Sequence, residues 1–329
     1  MTTTTAGRLG TRRDLRRYSD VRGLLPDVDN PSPMVRLNHV EPGPSAETYL
    51  KLEWLNPFGS VKDRAAAYLL SGLEDRVGLL TGREIVEASS GNTSIALAAL
   101  ASLHGIKVTT TVPSAVPEET IVILRMLGAE VWETPDDLCP VDHPRDGAIA
   151  LARSLAASAD RYVATEQYEN EDNVRAHYET TGPEIWRQTE GRVTRFVAAY
   201  GTTGTVVGAG RFLKEQNPDI EIVGVEPEPG HRLPGMKSFG ESKQPTIFDP
   251  TVIDQTVVVS DQDAYSVTKD LWHREALMVG PSTGAVVAAA ARIDAGPDDV
   301  IVGISADSGA KYASYFKEIL EESEGRPTI

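Results

Sequence analysis

From residue 48 onward, short runs rich in β-branched residues alternate with Ala- and Leu-rich segments of helical length, and this alternation limits the folds open to the chain. Residues 107–112 and 195–200 are typical of strands, whereas residues 93–103 and 205–215 are typical of helices. Alternating elements of this kind build parallel sheets with helices on both faces. The sequence therefore predicts an α/β fold.

The amino-acid composition argues against several classes of function. The 329 residues include 32 Lys and Arg against 48 Asp and Glu, and the formal net charge of -16 disfavours a nucleic acid partner. Cys139 is the single cysteine, so the chain forms neither an internal disulfide nor a cysteine-based metal cluster, and we expect a cytoplasmic protein without a metal site. Residues 276–291 are uncharged but shorter than the roughly 18 apolar residues of a membrane helix, so we expect no membrane partner.

The first twenty residues carry five arginines and a run of threonines, without an apolar central region. This pattern excludes a secretory signal and predicts a mobile arm, with a transit peptide as the alternative.

The segment NPFGSVKDR, residues 56–64, places Lys62 in the first turn of a predicted helix. The partial positive charge of a helix N-terminus disfavours an ammonium group there. Lys62 is therefore either a solvated side chain compensated by Asp63, or an amine that forms an imine with a carbonyl cofactor.

The segment ASSGNTS, residues 88–94, joins a predicted strand to a predicted helix. Its side chains that can form hydrogen bonds lie where the first backbone N–H groups of the helix are free, and a small carboxylate fits such a loop. An ordinary helix N-cap is the alternative.

The segment GTTGT, residues 201–205, also joins a strand to a helix, and its backbone N–H groups and hydroxyls can surround a phosphate. Its glycine spacing fits neither a Walker loop nor a dinucleotide fingerprint, and a plain turn is the alternative. A fourth junction, GPSTGA at residues 280–285, supplies Ser282 and Thr283 as candidate caps and indicates little alone.

Taken in order, these segments resemble those of the pyridoxal-phosphate enzymes of the tryptophan synthase β fold (fold type II), most closely the cysteine synthase group of O-acetylserine and O-phosphoserine sulfhydrylases. The resemblance extends from SPMVRLN at Ser32, similar to the family's TPLVRLN, to SADSGAKY at Ser305, and includes HYETTGPEIW at residues 177–186. It implies a homodimer with pyridoxal 5'-phosphate as cofactor.

The resemblance also implies how the chain is divided. Each subunit would have two three-layer α/β/α domains with the cofactor in the cleft between them. Residues 1–38 would form an arm and a segment that packs on the larger domain, residues 39–146 the smaller substrate-loop domain, and residues 147–329 the larger phosphate-binding domain.

The same resemblance implies a role for each motif. Lys62 would hold the cofactor as a Schiff base and act as the catalytic base, Asn92 would contact the pyridine hydroxyl, and Ser282 would face the pyridine nitrogen. The cofactor phosphate would lie against Gly201, Thr202, Thr203, Gly204 and Thr205. The substrate carboxylate would bind Ser89, Ser90, Thr93 and Gln167.

Two departures from the family's wording concern the pocket. The usual TSGNTG is SSGNTS here, so Ser89 stands in a threonine position, which preserves carboxylate binding. Ser94 stands in a glycine position and adds a hydroxyl and bulk at the helix start, so this comparison leaves the shape of the substrate pocket open. Pro281 replaces a usual isoleucine, and we have no interpretation of that change.

By resemblance, we expect β-substitution on an O-activated L-serine, acetyl or phospho, through an α-aminoacrylate, with sulfide as the nucleophile and L-cysteine as the product. The alternatives are an amine nucleophile, as in a 2,3-diaminopropionate synthase, a cystathionine β-synthase, and a serine or threonine dehydratase. The dehydratases carry an SxGNHAQ loop, and this chain departs from that pattern after Asn92, where Thr93 follows. An inactive homologue is disfavoured because Lys62, Asn92 and the phosphate loop are all present.

The segment GHRLPGMKSF, residues 230–239, bears on the leaving group because it is basic in an otherwise acidic chain. By resemblance this loop lies at the active-site entrance, and Lys237 aligns most nearly with the arginine of phosphoserine-using relatives. Since a cation there can bind a leaving phosphate, the sequence favours an anionic donor. A solvated basic loop is the alternative.

Overall fold

The computed structural model describes residues 17–40, 46–78, 80, 82–89, 91–113, 116–134 and 147–317. Within these residues the chain forms two separate sheets with helices packed against them, which confirms the α/β fold. Ser90, Cys139 and the arginines of residues 1–16 lie outside the described part.

The larger sheet has six strands, and its central strands are buried on both faces. The strand VIVGIS, for example, has all six residues buried, as expected for a strand covered by helices on both sides. All neighbours are parallel except the first pair. The order across the sheet is β1 (Met34–Arg36), β2 (Glu47–Leu52), β10 (Val300–Ser305), β7 (Arg195–Ala199), β8 (Glu221–Pro227) and β9 (Gln255–Val259).

The smaller sheet has four strands, all parallel to their neighbours. Their order across the sheet is β5 (Glu130–Glu133), β4 (Lys107–Val112), β3 (Glu84–Ala88) and β6 (Tyr162–Ala164).

The described helices cover the faces of both sheets, and a π-helical turn, His177–Thr181, joins two of them. Their bounds are α1 (Lys62–Val77), α2 (Asn92–Ser102), α3 (Glu118–Met126), α4 (Gly147–Ser158), α5 (Glu171–Ala176), α6 (Gly182–Gln188), α7 (Gly204–Gln216), α8 (Asp261–Arg274) and α9 (Pro281–Ala290). None of the helices described is both long and apolar enough to cross a bilayer.

The alternation in the sequence did not predict β1, β6 or the helical stretch from α5 to α6. Both missed strands are three residues long and lie at sheet edges, so they are too short to show a period of two.

The sheets do not follow the predicted division at residues 39–146 and 147–329. The strand β2 pairs with β10 in the larger sheet, and β6 pairs with β3 in the smaller one. The chain thus leaves the larger sheet after β2 and returns to it after β6. The division itself stays a prediction.

A buried cluster of two acidic and two basic side chains joins β2, α1 and α6. Lys51 Nζ lies 2.7 Å from Glu184 Oε2. Arg64 pairs through Nε with Glu53 Oε2 at 2.7 Å and through an Nη with Glu184 Oε1 at 2.5 Å. Ser32 donates its hydroxyl to Glu53 and its backbone N–H to Glu184, at 2.7 and 3.1 Å. Burial by itself would raise the pKa of Glu53, but the charge and hydrogen bonds of Arg64 outweigh it and lower that pKa to about 2.

The cluster generates a stability prediction. Arg64→Met leaves the carboxylates of Glu53 and Glu184 buried with Lys51 as the remaining cation of the cluster. Removing one partner of a buried charge pair typically costs about 3–5 kcal/mol of folding free energy. Urea denaturation should therefore show a large fall in midpoint. The matched change Arg187→Met removes an arginine that is 65% exposed, 3.6 Å from an Asp29 that is 78% exposed, and should leave the midpoint nearly unchanged. Similar midpoints for the two variants would contradict this account.

Candidate active site

A cleft lies at the carboxyl ends of strands from both sheets, the edge at which open α/β sheets bind ligands. It brings together residues that are far apart in the sequence, from Val61 to Tyr315. Of the residues predicted for the site, those that line it are Lys62, Ser89, Asn92, Thr93, Gln167, Gly201, Thr202, Thr205 and Ser282. Thr203, Gly204 and Lys237 lie beside the cleft without lining it, and Ser90 lies outside the described residues.

Lys62 is the first residue of α1, and its amine lines the cleft. Burial lowers the pKa of Lys62 to about 8, although the charge of Asp307 opposes the shift. Among the described residues the amine has no hydrogen-bond partner. Asp63 does not compensate it, since its carboxylate accepts from Phe58 N at 2.6 Å and from Ser60 Oγ at 3.3 Å. Lys62 is thus more easily deprotonated near neutral pH than an ordinary lysine.

The loop after β3 is shaped by Ser89 and Gly91. Ser89 Oγ accepts hydrogen bonds from the N–H groups of Gly91 and Ser94, at 3.1 and 3.4 Å, so its own hydrogen stays available to the cleft. Gly91 has a φ of +150°, and a Cβ there would lie 2.9 Å from a methyl carbon of Thr120. Glycine suits this position best, and the first two residues of α2, Asn92 and Thr93, line the cleft at the end of the helix where N–H groups lack partners within the helix.

The sequence left the effect of Ser94 on the pocket open, and the structure places its side chain away from the cleft. Its side chain is fully buried, and its hydroxyl is hydrogen-bonded to Thr110 on β4, away from the cleft. The extra bulk is accommodated between α2 and the smaller sheet.

Asn92 is held by two residues that the sequence analysis did not identify. Its Nδ2 donates to Asp307 Oδ2 at 2.6 Å, and its Oδ1 accepts from Lys311 Nζ at 2.8 Å. Burial raises the pKa of Asp307 and lowers that of Lys311. Both residues line the cleft, and both lie in the SADSGAKY segment, which was the available signal.

The GTTGT loop connects β7 to the N-terminus of α7. Thr203 adopts the left-handed conformation, with φ of +69°. A Cβ on Gly201 would lie 2.7 Å from Gly235 O, and one on Gly204 would lie 2.3 Å from Asn173 Oδ1. The loop therefore forms a tight cradle of backbone N–H groups at a helix N-terminus, the arrangement that binds anions.

Two buried residues behind this loop, Asn173 and His177, orient its hydroxyls. Asn173 Nδ2 donates to Thr202 Oγ1 at 2.9 Å and to Gln167 O at 2.8 Å. His177 Nε2 lies 3.1 Å from Thr205 Oγ1, and burial lowers the pKa of His177 to about 3, so the ring is neutral. The sequence analysis quoted His177 within HYETTGPEIW without assigning it a role.

Lys237 does not line the cleft, although its neighbours Gly235 and Met236 do. Its ammonium lies 4.9 Å from the centroid of the Tyr168 ring, and Tyr168 lines the cleft. The cation therefore lies behind an aromatic wall rather than in the open site.

The donors of the cleft fit a ligand that has both a carbonyl group and a phosphate. They combine an amine with a lowered pKa, an anion cradle that a Cβ would fill, and the hydroxyl of Ser282 at the start of α9. In the described part of the chain, no three His, Cys, Asp or Glu side chains are grouped as metal ligands.

Comparisons with known proteins point to the same ligand. The family described as "Pyridoxal-phosphate dependent enzyme" matches residues 26–307. Cysteine synthase B of Escherichia coli (strain K12) is 39% identical over 284 residues, which cover 86% of this chain and 92% of that protein. A hydrogen sulfide-producing enzyme from Fusobacterium nucleatum superposes with a TM-score of 0.81 at 30% identity, over 90% of this chain and 100% of its own. A lysine-to-alanine variant of O-ureido-L-serine synthase superposes with a TM-score of 0.82 at 27% identity, over 95% and 100%.

Proposed function

This chain belongs to the pyridoxal-phosphate dependent enzymes, within the cysteine synthase group of fold type II, and we propose that it catalyses β-substitution on O-acetyl-L-serine with sulfide to give L-cysteine. Its cofactor is pyridoxal 5'-phosphate. The observation that carries the proposal is Lys62, an amine with a pKa lowered to about 8 in a cleft that an anion cradle and a carboxylate loop both line.

When bound, the cofactor supplies an electron sink for bonds at Cα of the amino acid. Lys62 would hold it covalently and, once freed, would remove the proton from Cα, and the lowered pKa suits both tasks. Asn92 would contact the ring hydroxyl and Ser282 the ring nitrogen. The cofactor phosphate would lie against Gly201, Thr202, Thr203, Gly204 and Thr205.

The amino acid's carboxylate would bind the loop after β3 together with Gln167. Ser89 has a hydroxyl hydrogen to donate, and the N–H groups at the start of α2 face the cleft. Ser90, Thr93 and Gln167 would complete this set. These hydrogen-bond donors recognise the carboxylate, which all amino acid substrates share. Other residues of the cleft must therefore distinguish O-acetyl-L-serine from O-phospho-L-serine.

We propose the acetyl ester, rather than the anionic donor that the sequence favoured, because of the position of Lys237. Its ammonium lies over the Tyr168 ring and does not line the cleft. A leaving phosphate would need a charge-assisted hydrogen bond within the site.

The first prediction concerns Lys62. Reduction of the holoenzyme with borohydride should fix the cofactor to the Lys62 peptide, because this amine is the one with a depressed pKa and no hydrogen-bond partner among the described residues. Peptide mass spectrometry would locate the adduct. Lys311 also lines the cleft and serves as the internal control. An adduct on Lys311, or none, would refute the assignment.

The second prediction concerns the donor. The holoenzyme should form L-cysteine from sulfide and O-acetyl-L-serine, with kcat/KM at least about tenfold above that for O-phospho-L-serine. The leaving phosphate would lack a charge-assisted hydrogen bond in the cleft, and such a lack costs about 1.4 kcal/mol or more. Lys237→Ala should affect the two donors alike, as should Lys243→Ala in the same loop. If Lys237→Ala lowered kcat/KM for O-phospho-L-serine alone, and the parent used that ester better than O-acetyl-L-serine, the anionic substrate favoured by the sequence would be correct. Diaminopropionate formation from an amine would support the runner-up nucleophile.

The third prediction concerns assembly: we propose a cytoplasmic homodimer. The cytoplasmic location is supported by the single cysteine, and cell fractionation would measure it.

The dimer is supported by the family resemblance and by large apolar side chains around the larger sheet, Leu55, Val258 and Met278, which are 48–54% exposed. Sedimentation at micromolar concentration should give twice the 35.5 kDa chain mass, and a monomer would contradict the proposal.

A further inference from the structure

Glu87 is a buried carboxylate directly behind the carboxylate loop. It lies on β3, two residues before Ser89, and is 2% exposed. It accepts hydrogen bonds from Gln167 Nε2 at 2.9 Å and from the hydroxyl of Thr165. Neither the sequence motifs nor the roles proposed above use this residue.

The orientation of the Gln167 amide is determined by its neighbours. Its Nε2 also donates to Ala88 O at 2.7 Å, and a backbone carbonyl can only accept, so the amide nitrogen must face Glu87 and Ala88. The amide oxygen accepts from Thr93 Oγ1 at 2.6 Å. Both hydrogens of the Gln167 amide are thus used, and Gln167 has none to offer a carboxylate in the cleft.

Binding of an amino acid therefore disturbs Glu87 in two ways. If Gln167 turns an N–H toward the incoming carboxylate, Glu87 loses one of its two side-chain donors. At the same time a second negative charge arrives, separated from Glu87 by little more than the Gln167 amide. Loss of a hydrogen bond and approach of a like charge both disfavour the ionised form of a buried acid.

Among the described residues, no cation is a main influence on the pKa of Glu87. Burial is the largest influence on it and raises the pKa of Glu87 to about 7, although the bonds from Thr165 and Gln167 oppose the shift. The neighbouring strands carry Lys107 and Tyr162, which are in register with Glu84 at the far end of β3. Arg153 on α4 and Glu166 and Glu169 after β6 line a cavity on the face of β3 to which Val86 and Ala88 point, opposite to the Glu87 side chain, and Arg153 and Glu169 pair with each other.

We propose that Glu87 is a positioning residue that takes up one proton when the substrate carboxylate binds, and that this uptake releases Gln167 to hold the carboxylate. The inference rests on the proposed function, because it requires an amino acid in the cleft. The proton comes from solvent and adds to a carboxylate oxygen of Glu87. Thr165 can then accept the new O–H, since a hydroxyl both donates and accepts.

The test measures the protons taken up on binding. L-Serine, which lacks the activated ester, is titrated into the holoenzyme by calorimetry at pH 7.5 in two buffers of different ionisation enthalpy. The parent protein should take up about half a proton more per L-serine bound than Glu87→Gln, which cannot be protonated. Protons that the ligand's amine or Lys62 exchange are common to both proteins and cancel in the difference.

A second readout is affinity. As the pH rises above 7, the ratio of the parent Kd to the Glu87→Gln Kd for L-serine should increase by up to about tenfold per pH unit, because the parent must bind a scarcer proton. The matched control is Glu84→Gln. This residue lies on the same strand and bonds a threonine hydroxyl, that of Thr109, but has no link to Gln167. It should behave as the parent does in both measurements.

The outcomes separate the two proposals. Equal proton numbers and a pH-independent Kd ratio for the parent and Glu87→Gln would overturn the role of Glu87 and leave the proposed function standing. If Glu87→Gln does not fold, Glu87→Met serves instead because it cannot be protonated either, and a proton number equal to that of the parent would again overturn the role. Failure of the parent holoenzyme to bind L-serine or to react with O-acetyl-L-serine would overturn the proposed function and this inference with it.

Discussion

The buried pairing of Arg64 with Glu53 and Glu184 is the interaction on which the rest of the site depends. Arg64 lies two residues after Lys62, so the cluster that fixes its guanidinium also fixes the first turn of α1. Three of its side-chain oxygen partners come from segments that are distant in sequence. A planar guanidinium with five donors can satisfy all of them at once, which lysine could not do. The start of α1 is thereby held in place, and the Lys62 amine projects from a fixed point.

Exclusion of water then sets the protonation states around that amine. Burial lowers the pKa of Lys62 to about 8 and that of His177 to about 3, and raises those of Glu87 and Asp63 to about 7. The direction is the same in each case, toward the neutral form, because a dry interior penalises either sign of charge. A single physical cause thus prepares an amine that can react, a neutral ring behind the phosphate loop, and an acid near its titration point.

Much of this protein could be predicted before the structure was known, and the reasons are local. The strand and helix alternation predicted the α/β fold, and the glycine and hydroxyl patterns of GTTGT and SSGNTS predicted where anions would meet helix N-termini. Such patterns are visible because a turn that must admit a ligand restricts its own residues, as Gly91 and Gly204 show. Strands β1 and β6 were not predicted because three residues are too few to show the alternation of apolar and polar side chains along a strand.

The sequence by itself determined the fold class, the family and the cofactor, because the motifs that indicate them are contiguous in the chain. Only the tertiary structure decided which side chains act on those residues. Asp307 bonds Asn92 across 215 positions, Arg64 bonds Glu184 across 120, and Glu87 bonds Gln167 across 80. The sequence does not show which partner an acidic or amide side chain will bond. The hydrogen-bond partners and pKa values of these side chains depend on burial, and burial arises only when the two sheets bring the segments together.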